Sequence, residues 1–304
     1  MQRLPPGGRL CLGPRGGRRA PVQATATPPA DRLSAATLRT LPRAHPAARP
    51  RLTPYRRAVP SPLGIRLPIM LVAAAVCPCP PLLVPEVAAG AASELDAARA
   101  ACVDAVGVLA AARPDRLVVV GPAEEDAAYG EGARGSFRGF GVDVDVVLGR
   151  GADPDGAAVL PASLAVAAWL LGRVGWADAP VEARAVARTL DPERCAATGR
   201  EIATSGPRVA LLVMGDASAC RTLKAPGYLD ERAEPFDAAA GRALGSADVA
   251  ALKALDVRLA EELKVSGRAP WQVLAGAAED ADLSGALLYE DAPYGVGYLV
   301  ATWS

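Results

Sequence analysis

Two cysteines one proline apart, in the stretch "VCPCPPLLVPE" (76–86), are the first residues in this chain that invite a chemical reading. A thiolate pair can clip a metal, and a single thiolate can act as nucleophile or redox group. A tetrahedral zinc site needs a second ligand pair, and an activated thiol needs a base or a cation beside it. Cys220 could approach across a crevice, and Arg221 is the nearest cation by loop logic. Three further groups raise the same question. "GDAS" (215–218) offers Asp216 and Ser218 as hydrogen-bonding groups or as a cap for the turn that follows. Glu124, Glu125 and Asp126 form an acidic run, a pattern more typical of a solvated loop. "ARGSFRGFG" (133–141) sets two arginines among two phenylalanines and reads as an exposed hairpin with two ring anchors. The single histidine, His45, lies outside all of these. A His-based triad or a His-rich metal site is therefore excluded from residues 70–304.

The elements that must position these groups alternate. Near-continuous apolar runs at 70–77, 116–122 and 208–216 read as buried strands. "VDVDVVL" (142–148) alternates as a half-exposed strand would, and 285–303 supplies one or two closing strands. Helical patterns cover 93–112, with Ser93 as N-cap, then 162–174, 192–204, 234–244, 247–264 and 270–279. Strand and helix in alternation predict one α/β domain over 70–304. Its central sheet should be mixed or mainly parallel, with helices on both faces in three layers. In such sheets ligands gather beyond the carboxyl ends of the strands. The loops at 77–86, 121–132 and 214–228 all fall there, and together they make a candidate crevice. The glycines of "YGVGY" (294–298) lack the strand–loop–helix setting of a nucleotide site and read as close strand packing. The four tryptophans read as core or interface.

Residues 1–69 are different material. They hold thirteen arginines against one acid, a net +12, while the remainder carries −12. Rich in Pro and Gly and without apolar periodicity, this segment is expected to be disordered. Three readings stay open for it: a start assigned too early, with Met70 the true one; a targeting segment; or an arm drawn to phosphate on nucleic acid or a membrane surface. The run "LPIMLVAAAVC" is too short to span a bilayer. Six irregularly spaced cysteines are not a disulfide framework and point to a reducing, cytoplasmic setting.

Four stretches in order also carry a resemblance. "CPCPPLLVPEVAAG", "LVVVGPAEEDAAYGEGARGSFRGFG", "LLVMGDASACR" and "YEDAPYGVGYLVATW" resemble the first-strand segment, second-strand loop, Gly-Asp-x-Ser-His loop and final strand of the class III extradiol ring-cleavage dioxygenase superfamily (LigB-like, with the Memo-like proteins). The likeness runs from about residue 70 to 303 and is that of an actinobacterial-type member. Active members hold a non-haem iron with two histidines and a carboxylate, and use a further histidine as acid/base. The resemblance places the first ligand at Cys79, the second at Ala123, the acid/base group at Ala219 and the glutamate near Val265. Asp216 and Ser218 keep the family pattern; the other four positions do not. The implication is a degenerate pocket at Cys79, Ala123, Asp216, Ser218, Ala219 and Val265, with no cofactor where the family would imply Fe(II). The expected partner is a small molecule or a protein, with no nucleic acid bound by the body, no membrane span, and a homodimer left open. The alternative is an active enzyme of the same superfamily, or a thiol enzyme using Cys79.

Overall fold

The runs MLVAAAVC, RLVVVGPA and RVALLVM carry apolar side chains on both faces, so each is stable only as an interior strand covered on two sides. A computed structural model describes residues 70–151 and 159–304, and in it the three become β1 (Met70–Cys77), β2 (Arg116–Ala123) and β7 (Arg208–Met214). The expectation of disorder over 1–69 lies outside the described residues. The remaining strands are β3 (Ala127–Tyr129), β4 (Arg134–Ser136), β5 (Asp145–Val147), β6 (Val181–Ala187), β8 (Gly285–Asp291) and β9 (Tyr298–Trp303). Seven of the nine form one sheet in the order β3-β6-β2-β7-β1-β9-β8. The four central strands β6, β2, β7 and β1 run parallel, and β3, β9 and β8 close the edges antiparallel.

The helices are α1 (Pro85–Ala88), α2 (Asp96–Ala111), α3 (Ala162–Val174), α4 (Pro192–Ala203), α5 (Ala233–Gly245), α6 (Val249–Lys253), α7 (Val257–Glu262) and α8 (Arg268–Ala277). They form the outer two of three layers. Ala73, Ala75 and Cys77 of β1 with Ala210, Leu212 and Met214 of β7 face the layer that contains α2 and α3. The alternate residues Ala74 and Val76, with Val209, Leu211 and Val213, face the layer of α4, α5 and α8. This is the period-two alternation of a strand buried on both faces. The chain winds one way from β1 through β2 to β6, then reverses to insert β7 between β2 and β1. The reversal moves the connecting helix to the opposite face, as right-handed crossovers require. The tightest helix contact, α4 on α8, is possible because Gly199 and Gly276 each lie against backbone of the other helix, where a Cβ would overlap.

Several expectations need correction. Helix α2 starts at Asp96, after a 3-10 stretch over Ala89–Leu95, so Ser93 is not its cap. The half-exposed strand at 142–148 is only β5, and it pairs with β4 in a separate two-stranded sheet. There Arg138 bridges Asp143 and Asp145, and of the two rings only Phe137 is an anchor, because Phe140 is exposed. The helix expected at 247–264 is two, because Asp248 and Asp256 accept from the Ala251 and Leu259 amides and each starts a new turn. Strand β6 has no counterpart among the expected elements. Trp176, Trp271 and Trp303 are buried as expected, while Trp169 is half-buried under the Arg173 guanidinium.

Candidate functional site

Four parallel strands end side by side, at Cys77, Met214, Ala123 and Ala187. The loops beyond β1 and β7 are tied at once, since the Gly215 amide donates to the Cys77 carbonyl at 3.0 Å. One residue further, the Cys79 amide donates to Asp216 Oδ1 at 2.8 Å, and Cys79 Sγ lies 3.9 Å from Oδ2. Two of the predicted site residues are thus brought together. The Asp216 amide donates to Ser266 Oγ at 2.8 Å, and the Asp216 carbonyl accepts from the Gly267 amide at 2.9 Å. This junction of two loops, distant in the chain, depends on Gly215 and Gly267. A Cβ on Gly215 would overlap the Gly267 backbone, and one on Gly267 would overlap the Trp271 ring.

The electrostatics of the pair run against a thiol enzyme. Burial, and then the charge of Asp216, push the Cys79 thiol well above its ordinary value, which the Ser266 hydroxyl and Arg188 only partly offset. A protonated thiol is a poor nucleophile and a poor metal ligand. Burial also raises the carboxyl of half-buried Asp216 to about 6, against the opposing pull of the Cys79 amide, Ser266 and Arg188. Asp216 is therefore a group that changes charge near neutrality at the mouth of the sheet. Across β1 from it, buried Tyr298 is held protonated by burial and by the negative charge of Asp216.

Beside Asp216 a cavity of about 420 Å³ opens between the ends of β2 and β6 and the start of α8. Its walls include Arg188, Lys264, Val265, Ser266 and Arg268, with Glu124 and Glu261 also lining it. Ser266 joins this cavity to Asp216. Of the other predicted residues, Val265 lines the cavity and Ala123 is reached through its carbonyl, which accepts from the Arg188 amide at 3.1 Å. Ser218 and Ala219 belong to a different construction. Ser218 has no exposed surface, and its amide and hydroxyl donate to Asp237 Oδ1 and Oδ2 at 2.8 and 2.7 Å. Arg221 completes that cluster at 3.1 Å, and Gly297 lies so close to Asp237 that a Cβ would overlap the carboxylate. Close packing thus accounts for this glycine of "YGVGY". Ala219 is tied by its amide to the Leu263 carbonyl.

The two cysteines of "CPC" separate. The Cys77 thiol turns to Cys102 of α2, and this contact and burial push it well above its ordinary value. Cys220 points to the Leu263 carbonyl, 3.5 Å away, so it does not complete a metal clip with Cys79. Among the described residues, no three His, Cys, Asp or Glu side chains converge as a metal would require. The donor set at the four positions implied for iron chemistry does not fit Fe(II), since alanine and valine have no lone pair to give. The acidic run is solvated, though Asp126 accepts from the Ala187 amide and Glu124 pairs loosely with Arg188. Sequence reasoning missed Arg188, Ser266, Arg268 and Tyr298. Only "SGRAPW" (266–271) and "YGVGY" marked their neighbourhoods.

The fold and the crevice define a three-layer α/β protein with a mostly parallel central sheet and a pocket at its carboxyl edge. No protein-family model matches the chain, and no curated protein matches it. Among solved structures it is similar to the crystal structure of uncharacterized protein JW3007 from Escherichia coli K12, at 13% identity over 76% of this chain and 99% of that one, with a TM-score of 0.45. A likeness at that level carries no argument about function. Among the described residues, no helix is long and apolar enough to cross a membrane.

Proposed function

We propose that this chain is a divergent relative of the class III extradiol dioxygenase (LigB-like) superfamily that has lost the iron centre and ring cleavage but keeps the crevice as a ligand-binding or protein-interaction site. The observation that carries the reading is a contrast among the loops at the carboxyl edge of the sheet. The positions that resemblance assigns to iron and proton transfer hold Cys79, Ala123, Ala219 and Val265, yet a 420 Å³ cavity persists beside Asp216. A pocket of this size suits a small molecule. The competing reading, a thiol-dependent enzyme at Cys79, is disfavoured by burial and by the adjacent carboxylate, both of which hold the thiol protonated. A cytoplasmic location belongs to the same proposal. The test is metal analysis of purified protein before and after anaerobic incubation with Fe(II), for the parent chain and Cys79→Ala. Substoichiometric iron in both is the expected result. Stoichiometric iron that vanishes with Cys79→Ala would overturn the reading.

A further inference from the structure

We propose that the cavity beside Asp216 takes a small molecule by an oxyanion, a carboxylate or phosphate group, held between Arg188, Lys264 and the start of α8. The inference deepens the reading of the crevice as a ligand site and rests on it. Three observations carry it. First, Arg268 lines the cavity and is only 2% exposed, yet among the described residues no carboxylate lies within ion-pair distance of it. Its guanidinium donates instead to the Leu190 and Arg188 carbonyls and to Gln272 Oε1 at 3.0 Å. These acceptors satisfy its hydrogens but leave a buried positive charge that Asp191 and Glu261 answer only from beyond ion-pair distance, an arrangement that costs stability unless an anion comes closer. Second, two more cations stand on the same cavity. Lys264 is exposed and has no ion-pair partner among the described residues, and Arg188 has only Glu124 at 3.8 Å. Third, α8 is ten residues long and starts at Arg268 on the cavity wall with no side-chain cap, so the positive end of its dipole lies at the same space.

The two acids of the cavity shape the remainder of the ligand. Glu124 and Glu261 are both exposed, whereas Val265 and Arg268 form buried wall. An anion seated against the inner wall leaves the carboxylates facing the ligand's other end, which favours a neutral or cationic group there. The preferred ligand therefore carries one oxyanion group and no second anionic group at its other end.

The test is calorimetric titration of the full chain with inorganic phosphate, benzoate and the neutral analogue benzamide at low salt. Expected is saturable binding of one anion per chain, with benzamide at least about tenfold weaker. Lys264→Gln should weaken anion binding by about tenfold, as loss of one charged hydrogen-bond donor does. Added salt should weaken it further. Lys264 is exposed, so this variant retains the fold. Equal affinity for benzoate and benzamide would sink the charge argument while leaving a ligand pocket. Binding of neither anion would overturn the inference. If Val265→Trp, which fills the wall, also left a small-molecule screen of the protein unchanged, the pocket reading would fall with it.

Discussion

Replacing Asp216 by asparagine should make the protein more stable at pH 8 and leave it about as stable as the parent near pH 4. Burial lifts this carboxyl from an ordinary 3.8 to about 6. A group raised in the native state favours folding while it is protonated, so its contribution is fully present below the unfolded value of 3.8. It is lost as pH rises through about 6, because above that point the native protein must hold an ionised carboxylate out of water. The gap corresponds to about 3 kcal/mol at its ceiling, which for a domain of this size is on the order of 6–12 °C in melting temperature. Asparagine keeps an oxygen to accept from the Cys79 amide at the same place, so the variant removes the charge and little else. The assay is thermal unfolding of parent and Asp216→Asn from pH 4 to pH 8, read as a difference. Carboxylates that their ion pairs depress, such as Asp230 at about 2 and Glu262, lose their contribution as pH falls in both proteins and cancel. A variant that is less stable at every pH, or a difference flat with pH, would refute the reasoning.

Two further outcomes follow from the same geometry. Asp237→Ala should cost about 3–5 kcal/mol in denaturant unfolding, because it removes the acceptor of the Ser218 amide and hydroxyl and leaves Arg221 without its buried partner. A loss below about 1 kcal/mol would mean that the cluster does not hold the loop. Iodoacetamide should alkylate Cys79 no faster than a free-cysteine peptide at neutral pH, since the thiol is held protonated; a fast, pH-independent rate would restore the thiol enzyme.

What the amino-acid pattern made legible was whatever is buried on two faces. β1, β2 and β7 are near-continuous apolar runs because both of their surfaces meet a helix layer, and β9, buried along its whole length, shares that signature. β6 was invisible for the opposite reason. Five of the seven residues of its "VEARAVA" are good helix formers, and its strand character lies in two valines and in the alternation of buried Val181, Ala183 and Ala185 with half-buried Glu182 and Arg184. The break between α6 and α7 did have a signal, an aspartate three residues before the amide it caps, but it was masked by an uninterrupted helical composition. At the crevice, Asp216 and its loop could be placed from position alone. Ser266 and Arg268 could not, because what brings them there is contact between the Gly215 and Gly267 backbones, and local sequence does not encode which two glycines meet.

Two aspartates, set side by side, bear on function without any appeal to iron. Asp237 is 1% exposed and fully answered, with an amide, a hydroxyl and a guanidinium on its two oxygens. The same chain therefore satisfies a buried charge where the task is structural. At the crevice it does not. Asp216 receives one backbone amide and a distant thiol, with Ser266 and Arg188 offsetting its burial only in part, and Arg268 is buried against neutral acceptors. Buried charges left without an opposite charge beside them cost stability, and folds tolerate them chiefly where a ligand or a proton completes the arrangement. A carboxyl poised near neutrality is joined through Ser266 to a cavity whose wall holds a buried guanidinium with no ion-pair partner among the described residues. That concentration of charge without an ion-pair partner is the physical reason to look for a ligand here rather than at any other depression of the surface.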